Sequence, residues 1–405
     1  MKHIFAKWLR HSFYKITGSI AFYPALIVIG FLLLSWLMLE LDFSSFGKHI
    51  KSNYLLIRLR DASTARTIAS TIVTGIISLT VFSFSMVMIL LNQAASQLSN
   101  RTLEGMISNR FQQIVLGFYI GTIVYALFLL STIRDIDNGI FVPALSIYLL
   151  LLFAVGDMFL FIYFLHYITQ TIKFETIIKR IHDQTLQTLK SHQNDKNNIP
   201  ECKPNGSGQI IKMPRSDFYQ GFNTRELIRF AEKYHGVIYF LHPHGTYLLN
   251  EVPLLKFYAK HLLTKKQSDE LLDTLDFYAG QSAEKNAYFG FHQLTEIALK
   301  ALSPGINDPQ TAVLSIYALT DLFAYFLKHD QQNIYLNKDQ EALIFLKERS
   351  FEDLFTESYA PIWCYGKHDQ FIQQALKFML PQLLGQIKEE HLKKLVSEFL
   401  MQVKK

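Results

Sequence analysis

The sequence predicts a membrane α-helical protein with four transmembrane helices, followed by a cytoplasmic region that is first α+β and then mainly helical. Half of the 405 residues are hydrophobic and 18% are charged, whereas about 25% of the residues of an average soluble protein are charged. The long apolar stretches all lie before residue 170, and amphipathic patterns follow them. Because this apolar excess must face something other than water, the lipid bilayer is the first expected partner.

Each predicted span is long enough to cross the bilayer, since a helix needs about 20 apolar residues to cover a hydrocarbon core of about 30 Å. The first three spans contain no Asp, Glu, Lys or Arg, and the fourth contains one, Asp157. The first span is too long for a signal-peptide core, so we expect it to be retained as an anchor. Residues 1–170 therefore form the predicted four-helix transmembrane domain, with spans at about 16–39, 68–91, 114–133 and 140–168.

The basic residues predict that both termini lie in the cytoplasm. Near the span ends, ten Lys and Arg lie on the side of the termini and six lie on the other side, and cytoplasmic loops carry the excess of basic residues. Residues 1–170 hold 12 basic and 7 acidic residues, and the remainder holds 28 and 27. A nucleic-acid surface would need basic residues clustered on the soluble half, so no nucleic-acid partner is expected. The sequence thus predicts a multi-pass protein of the plasma membrane.

The pattern after residue 170 divides into three parts. Residues 171–209 are predicted to extend the fourth span as a helix to about Ser191 and then to form a linker rich in Asn, Pro, Gly and Ser. Residues 210–258 read as short strands around one helix, which predicts a small α+β module. Residues 259–405 are helical in pattern, with breaks near 303–309, 330–337 and 365–367, and predict a helical cytoplasmic domain. The helical extension would transmit motion between the membrane and the cytoplasm.

Two motifs resemble a known family. The first leads from Ala65-Arg66 through the second span to Phe84-Ser85 and Gln93–Arg101, and the second is Ala301–Pro309 followed by Thr311 and Ala312. Together they resemble the bacterial predicted-membrane-protein family known as domain of unknown function 2254. The resemblance implies a four-span portion in the bacterial inner membrane and a cytoplasmic C-terminal region. It supplies no established activity, substrate or catalytic residue.

Polar side chains follow one face of the second span, and we call this line the polar stripe. Its members recur at steps of three, four or seven residues, which places them on one side of a helix. They are Thr67, Thr71, Thr74, Ser78, Ser85 and Asn92. Small hydroxyl residues are common where membrane helices pack closely. Alternatively, equal stripes from several subunits surround a water-filled path, which predicts a homo-oligomeric, channel-like conduit for ions or small solutes.

Asp157 is the acid of the fourth span, about 17 residues from its start and therefore in the inner half of the bilayer. An ionised carboxylate there costs roughly 2.5–3.5 kcal/mol on insertion scales. We therefore expect Asp157 to be paired, protonated or facing a wet cavity. Intramembrane ionisable residues are functional by default, which makes it a candidate site residue.

The motif at residues 303–309 predicts a corner between two helices. Pro304 and Gly305 end the first helix, Asp308 can cap the next, and Pro309 suits its first position. A structural corner explains these residue types. The functional alternative is a ligand site where Ser303, Asn307 and Asp308 converge at a helix N-terminus.

Catalytic and cofactor signatures are missing from the sequence. There is no nucleophile elbow, phosphate loop or dinucleotide fingerprint. His235, His242 and His244 bracket a turn, but no fourth zinc ligand has a recognisable spacing. We therefore expect no enzyme activity, catalytic residue, metal or cofactor. The alternative function is a membrane-anchored sensor or scaffold that binds a cytoplasmic protein or a small ligand.

Overall fold

The computed structural model of the chain describes residues 21–47, 49, 61–97, 110–133, 142–171, 173–191, 208–278, 286–329, 334–337 and 341–404. The chain forms two compact units, and the boundary falls between Lys173 and Phe174. Several predictions fall outside the described residues. They concern the start of the first span, most of the linker, and many of the basic residues that predict the orientation.

The first unit contains four long apolar helices. They are α1 (Phe22–Phe43), α2 (Ala62–Gln97), α3 (Arg110–Thr132) and α4 (Ala144–Thr171). Each overlaps one of the four predicted spans, because an uninterrupted apolar run leaves every backbone hydrogen bond to be made within the helix. The 36 residues of α2 would extend about 54 Å, which exceeds the thickness of the hydrocarbon core.

Two glycines set the distance between α1 and α3. A Cβ atom at Gly117 would lie 2.7 Å from Ile27 Cδ1, and one at Gly121 would lie 2.6 Å from Phe31 Cδ2. Glycines four residues apart lie on one helix face and allow close backbone approach in membranes. The pair therefore lets α1 lie directly against α3.

The predicted continuous extension of the fourth span is wrong. Helix α4 ends at Thr171, and a separate helix, α5 (Phe174–Ser191), begins three residues later. The apolar character changes at this point, since α4 is apolar on all sides whereas α5 buries one face through Ile177, Ile178 and Ile181. That face packs on other helices of the second unit, so α5 belongs to the core of that unit.

The described part of the second unit contains eight strands. They are β1 (Gln209–Lys212), β2 (Asp217–Phe222), β3 (Val237–Phe240), β4 (Thr246–Leu248), β5 (Pro253–Tyr258), β6 (Leu275–Phe277), β7 (Ile334–Leu336) and β8 (Ala342–Phe345). One sheet has the order β1-β5-β3-β8-β7, and the other has the order β4-β2-β6. Only β3 and β8 pair in parallel, with Ile238 opposite Ile344. Buried apolar side chains, including Leu227 and Phe257, fill the core around these strands.

The prediction of helix across residues 259–405 is wrong at β6 and β8, whereas β7 lies in the predicted break near residues 330–337. Strand β6 pairs with β2, and β8 pairs with β3, so both join sheets that begin in the predicted 210–258 module. Three or four residues are too few to display the two-residue alternation of a strand. Their conformation is fixed by hydrogen bonds to a strand far away in the sequence.

The described part of the second unit contains seven further helices. They are α6 (Thr224–Lys233), α7 (Lys265–Leu272), α8 (Ala287–Ala301), α9 (Pro309–Lys328), α10 (Phe351–Gly366), α11 (Gln370–Leu384) and α12 (Glu390–Lys404). Helix α9 packs on α5, α8, α10 and α11. Its Thr320 hydroxyl lies 2.6 Å from the Tyr359 hydroxyl of α10, and both groups are buried.

By length and composition, five described helices could cross a membrane: α1 to α4 and α9. More than half of the most apolar stretch of α9 is buried inside its unit, a larger share than in any of α1 to α4. A helix buried in a protein core has the same apolar character as a membrane span. The membrane portion therefore has four to five candidate spans, and the count of four stays a prediction.

Candidate functional site

The polar stripe lies on the surface of the single subunit. All six of its members, Thr67, Thr71, Thr74, Ser78, Ser85 and Asn92, are exposed. The side chains of α2 that pack within the subunit include Ala65, Ala69, Val73 and Ile76. At 3.6 residues per turn, these buried positions lie on the side of α2 opposite the stripe. Packing inside one subunit therefore does not account for the stripe.

The hydroxyl groups of the stripe donate to the backbone of their own helix. Thr67, Thr74 and Ser78 each donate to the carbonyl oxygen four residues earlier, at 2.9 Å. Such bonds satisfy the hydroxyl proton and leave the oxygen lone pairs available to accept. The stripe therefore presents acceptor oxygens to whatever covers this face, whether water or a neighbouring subunit.

Asp157 is buried among three helices of the membrane unit, with 2% of its surface exposed. Thr122 of α3 neighbours its carboxylate. Tyr119, one turn before Thr122, neighbours Ser83 of α2 and lies within electrostatic range of Asp157. Within the described residues, Asp157 Oδ2 completes no hydrogen bond, and neither do the hydroxyl groups of Ser83, Tyr119 and Thr122. Asp157 forms no ion pair within the described residues, and its three predicted alternatives, a paired, a protonated or a water-exposed carboxyl group, stay predictions.

A second buried acid, Asp42, escaped the sequence analysis. Its carboxylate accepts hydrogen bonds from the backbone N–H groups of Leu145, at 3.1 Å, and Ser146, at 2.8 Å, and also from the Ser146 hydroxyl. These groups lie at the N-terminus of α4, where unpaired N–H groups favour a negative charge. Asp42 is therefore a helix cap supplied by another helix. Its position just beyond the predicted first span gave no sign of this role.

The corner at residues 303–309 is built from local hydrogen bonds. Asp308 accepts from the backbone N–H of Thr311, at 3.3 Å, and from its hydroxyl, at 2.6 Å. The Ser303 hydroxyl donates to the Lys300 carbonyl, at 2.6 Å, and Asn307 is exposed with a positive φ of 49°. Capping thus occupies Ser303 and Asp308, and the ligand site at this corner stays a prediction.

The second unit contains a buried ionisable group that the sequence analysis missed. Glu348 lies between β8 and α10 with 16% of its side chain exposed, and its Oε1 atom is 3.8 Å from His244 Nδ1. Tyr288 of α8 forms a hydrogen bond with its carboxylate. Burial raises the pKa of Glu348 to about 7, although the Tyr288 hydrogen bond acts in the opposite direction. Glu348 follows a strand that was predicted as helix, so no pattern pointed to it.

Tyrosines from both sheets complete this group, which we call the Glu348 cluster: Tyr219, His244, Tyr288, Tyr335 and Glu348. Tyr219 is fully buried, and its hydroxyl has no hydrogen-bond partner among the described residues. Burial raises the pKa of each of the three tyrosines, and the negative charge of Glu348 adds to each shift. The three phenols therefore stay protonated.

The three turn histidines do not act together. His242 Nε2 lies 3.0 Å from the Pro253 carbonyl oxygen, whereas His244 belongs to the Glu348 cluster. In the parts of the chain that the structure describes, no three His, Cys, Asp or Glu side chains are placed to hold a metal ion.

The chain is similar to uncharacterised proteins of Mycobacterium tuberculosis and Mycobacterium bovis, each 23% identical over 308 residues. The matched region covers 73% of this chain and 59% of each relative. No solved structure matches the chain significantly. Residues 17–381 match the family described as predicted membrane protein, domain of unknown function 2254. The apolar helices of the first unit agree with the description of that family as membrane proteins. Because the match covers most of the chain, the protein is a member of that family.

Proposed function

We propose that the protein is a channel-like conduit for ions or small solutes, formed by a homo-oligomer in which α2 lines the path. The observation that supports this function is the exposure of the whole polar stripe on the side of α2 that faces away from its own subunit. Symmetric association would bring equal stripes together around one axis. Their acceptor oxygens would then line a path that water can fill.

The proposed orientation follows from the basic residues at the span ends. Both termini lie in the cytoplasm of a bacterial cell, and the protein crosses the inner membrane four times. The burial of α9 inside the second unit supports this count, because a core helix is apolar without spanning. The second unit is then cytoplasmic and is the proposed gate.

Cysteine labelling along α2 tests the conduit directly. The background variant carries Cys202→Ser and Cys364→Ser, which removes both native cysteines. We expect Thr71→Cys, Thr74→Cys and Ser78→Cys to react with a charged thiosulfonate in intact membranes. Ionised thiol is the reactive species, and it forms only in contact with water.

Ile77→Cys is the matched control, because this side chain is also exposed on α2, at 45%, but on another side of the helix. We expect it to react at least about tenfold more slowly, since a thiol in lipid stays protonated. Equal rates at all four positions contradict the pore, and so does an absence of conductance in proteoliposomes under changes of voltage, tension and pH.

The second candidate function is a membrane-anchored sensor, and the Glu348 cluster favours it. The cluster joins both sheets to the N-terminus of α8, so a change of charge there acts on several elements of the second unit. The titratable or charged groups that surround Glu348 come from each of these elements. They are Tyr219, His244, Tyr288 and Tyr335, and two more charged groups lie behind them, Asp276 in range of Tyr219 and Arg349 in range of Tyr288. A carboxyl group with a pKa of about 7 changes its charge near neutral pH.

We expect Glu348→Gln to remove part of the pH dependence of stability. A folded-state pKa raised above its unfolded value means that the folded state binds more protons between pH 4.5 and about 7. The free energy of unfolding therefore falls as pH rises through this window, by roughly 3 kcal/mol from this group. Thermal unfolding of the full chain in detergent should show that the variant gains stability relative to the native protein as pH rises from 5 to 8.

Glu341→Gln is the control, because Glu341 is exposed and lies directly before β8. A Tm difference between Glu348→Gln and the native protein that is the same at pH 5 and pH 8 contradicts titration of Glu348 in this range.

A further inference from the structure

Five buried oxygen atoms of the membrane unit have no hydrogen-bond partner among the described residues. They are Ser83 Oγ, Gln113 Oε1, Tyr119 OH, Thr122 Oγ1 and Asp157 Oδ2. At least about 90% of buried polar groups in proteins are hydrogen-bonded. Five exceptions within three helices therefore require a common explanation.

The five residues are connected in space. Tyr119 neighbours Ser83 and lies within electrostatic range of Asp157, and Thr122 neighbours the Asp157 carboxylate. Ser83, Gln113 and Tyr119 also line one cavity of about 200 Å³, whose other lining residues are mainly apolar. Gln113 lies near the start of α3, and Thr122 lies about 14 Å further along the helix.

Asp42 is a buried acid of the same unit whose role is structural. Both of its carboxylate oxygens accept hydrogen bonds from the N-terminus of α4, and the Ser146 hydroxyl adds a third donor. Asp157 is equally buried but has neither a helix N-terminus nor a basic residue beside it, and within the described residues it forms no ion pair. A capping role therefore does not explain Asp157.

The chemistry of the five groups selects the ligand. All five atoms are oxygens, which hard cations prefer over nitrogen or sulfur ligands. Only one of the residues is a carboxylic acid, so a single positive charge neutralises the group. An unneutralised carboxylate inside a bilayer is costly, and a divalent ion would leave excess positive charge there.

We propose that Asp157, Thr122, Tyr119 and Ser83 form an intramembrane binding site for a monovalent cation, Na⁺ or a proton, inside each subunit. Tyr119 lies within electrostatic range of Asp157, and its phenol oxygen is one of the proposed ligands. The site is independent of the proposed conduit, because the polar stripe lies on the opposite side of α2.

Binding is tested on the full chain in detergent, without any measurement of transport. Thermal unfolding is followed while NaCl replaces choline chloride at constant ionic strength and pH 8. If the ligand is Na⁺, the Tm of the native protein rises with Na⁺, and Thr122→Val weakens the apparent affinity by about tenfold or more. Asp157→Asn removes the dependence. Thr132→Val is the matched control on α3, because the Thr132 hydroxyl donates to the Leu129 carbonyl oxygen of its own helix, and it keeps the native response.

Infrared spectroscopy distinguishes the proton from Na⁺. If the ligand is a proton, the native protein shows the carbonyl band of a protonated carboxylic acid at pH 7 regardless of Na⁺, and Asp157→Asn abolishes that band. If Na⁺ binds, the band disappears as Na⁺ is added. The proposal is overturned if NaCl stabilises the native protein no more than choline chloride does and no carbonyl band of a protonated carboxylic acid depends on Asp157. Because Thr122→Val keeps the carboxylate, it tests the proposal even if Asp157→Asn fails to fold.

Discussion

Replacing Gly121 with leucine is expected to destabilise the membrane unit by about 3 kcal/mol, the upper range for overpacking a close-packed site. A Cβ atom at this position already lies 2.6 Å from the Phe31 ring of α1, and leucine adds three more carbon atoms. Since Gly117 makes the same close approach to Ile27, α1 cannot move away along α3 without losing that contact as well. The measurement is the Tm of the detergent-solubilised protein, followed by size-exclusion chromatography after heating.

Gly156→Leu is the matched control. Gly156 lies within α4, and a Cβ atom there meets no other atom within 4 Å. The added side chain faces open space, so we expect the Tm to stay close to that of the native protein. If Gly121→Leu behaves like Gly156→Leu, then α1 and α3 do not pack through these glycines.

Replacing Asp42 with alanine is expected to cost roughly 3 kcal/mol, because buried donors that lose their acceptor each cost about 1–3 kcal/mol. Three donors at the N-terminus of α4 depend on this carboxylate, namely the N–H groups of Leu145 and Ser146 and the Ser146 hydroxyl. In a membrane no water replaces the lost acceptor. The expected result is a large fall in Tm and in the yield of monodisperse protein.

Glu40→Ala supplies the control for the loss of an acid on the same helix. Glu40 lies two residues before Asp42 but is exposed, so its removal leaves the cap of α4 intact. Asp42→Asn should be intermediate, because the amide keeps one acceptor oxygen and loses the charge that favours the helix N-terminus. A Tm for Asp42→Ala equal to that of Glu40→Ala contradicts the capping role.

Asp42 and Asp157 are both buried acids of the membrane unit, but the surroundings of their carboxylates differ. Asp42 is satisfied by backbone donors, whereas Asp157 is buried with an oxygen that has no partner among the described residues. The sequence pointed only to Asp157, the acid that lies deep within a span, and it passed over Asp42. Burial and hydrogen bonding, rather than position in the span, assign the two roles.

The sequence by itself determined the family, the apolar helices and the existence of the polar stripe. These features are local, because the faces of a helix follow from residue spacing within a few turns. The sequence could not tell which side of α2 packs against its own subunit, and it also missed the Gly117–Gly121 pair, although glycines four residues apart are a recognisable signal. Only the structure placed the stripe on the outer side.

The tertiary structure decided everything that depends on distant partners. Asp42 meets Ser146 across 104 positions, β8 pairs with β3, and Glu348 meets residues of both sheets and of α8. Periodicity describes one element at a time and carries no information about which elements meet, since that is set by how all apolar faces are buried together. The helix break before Phe174 has the same cause: the amphipathic face of α5 is satisfied only by the core of the second unit.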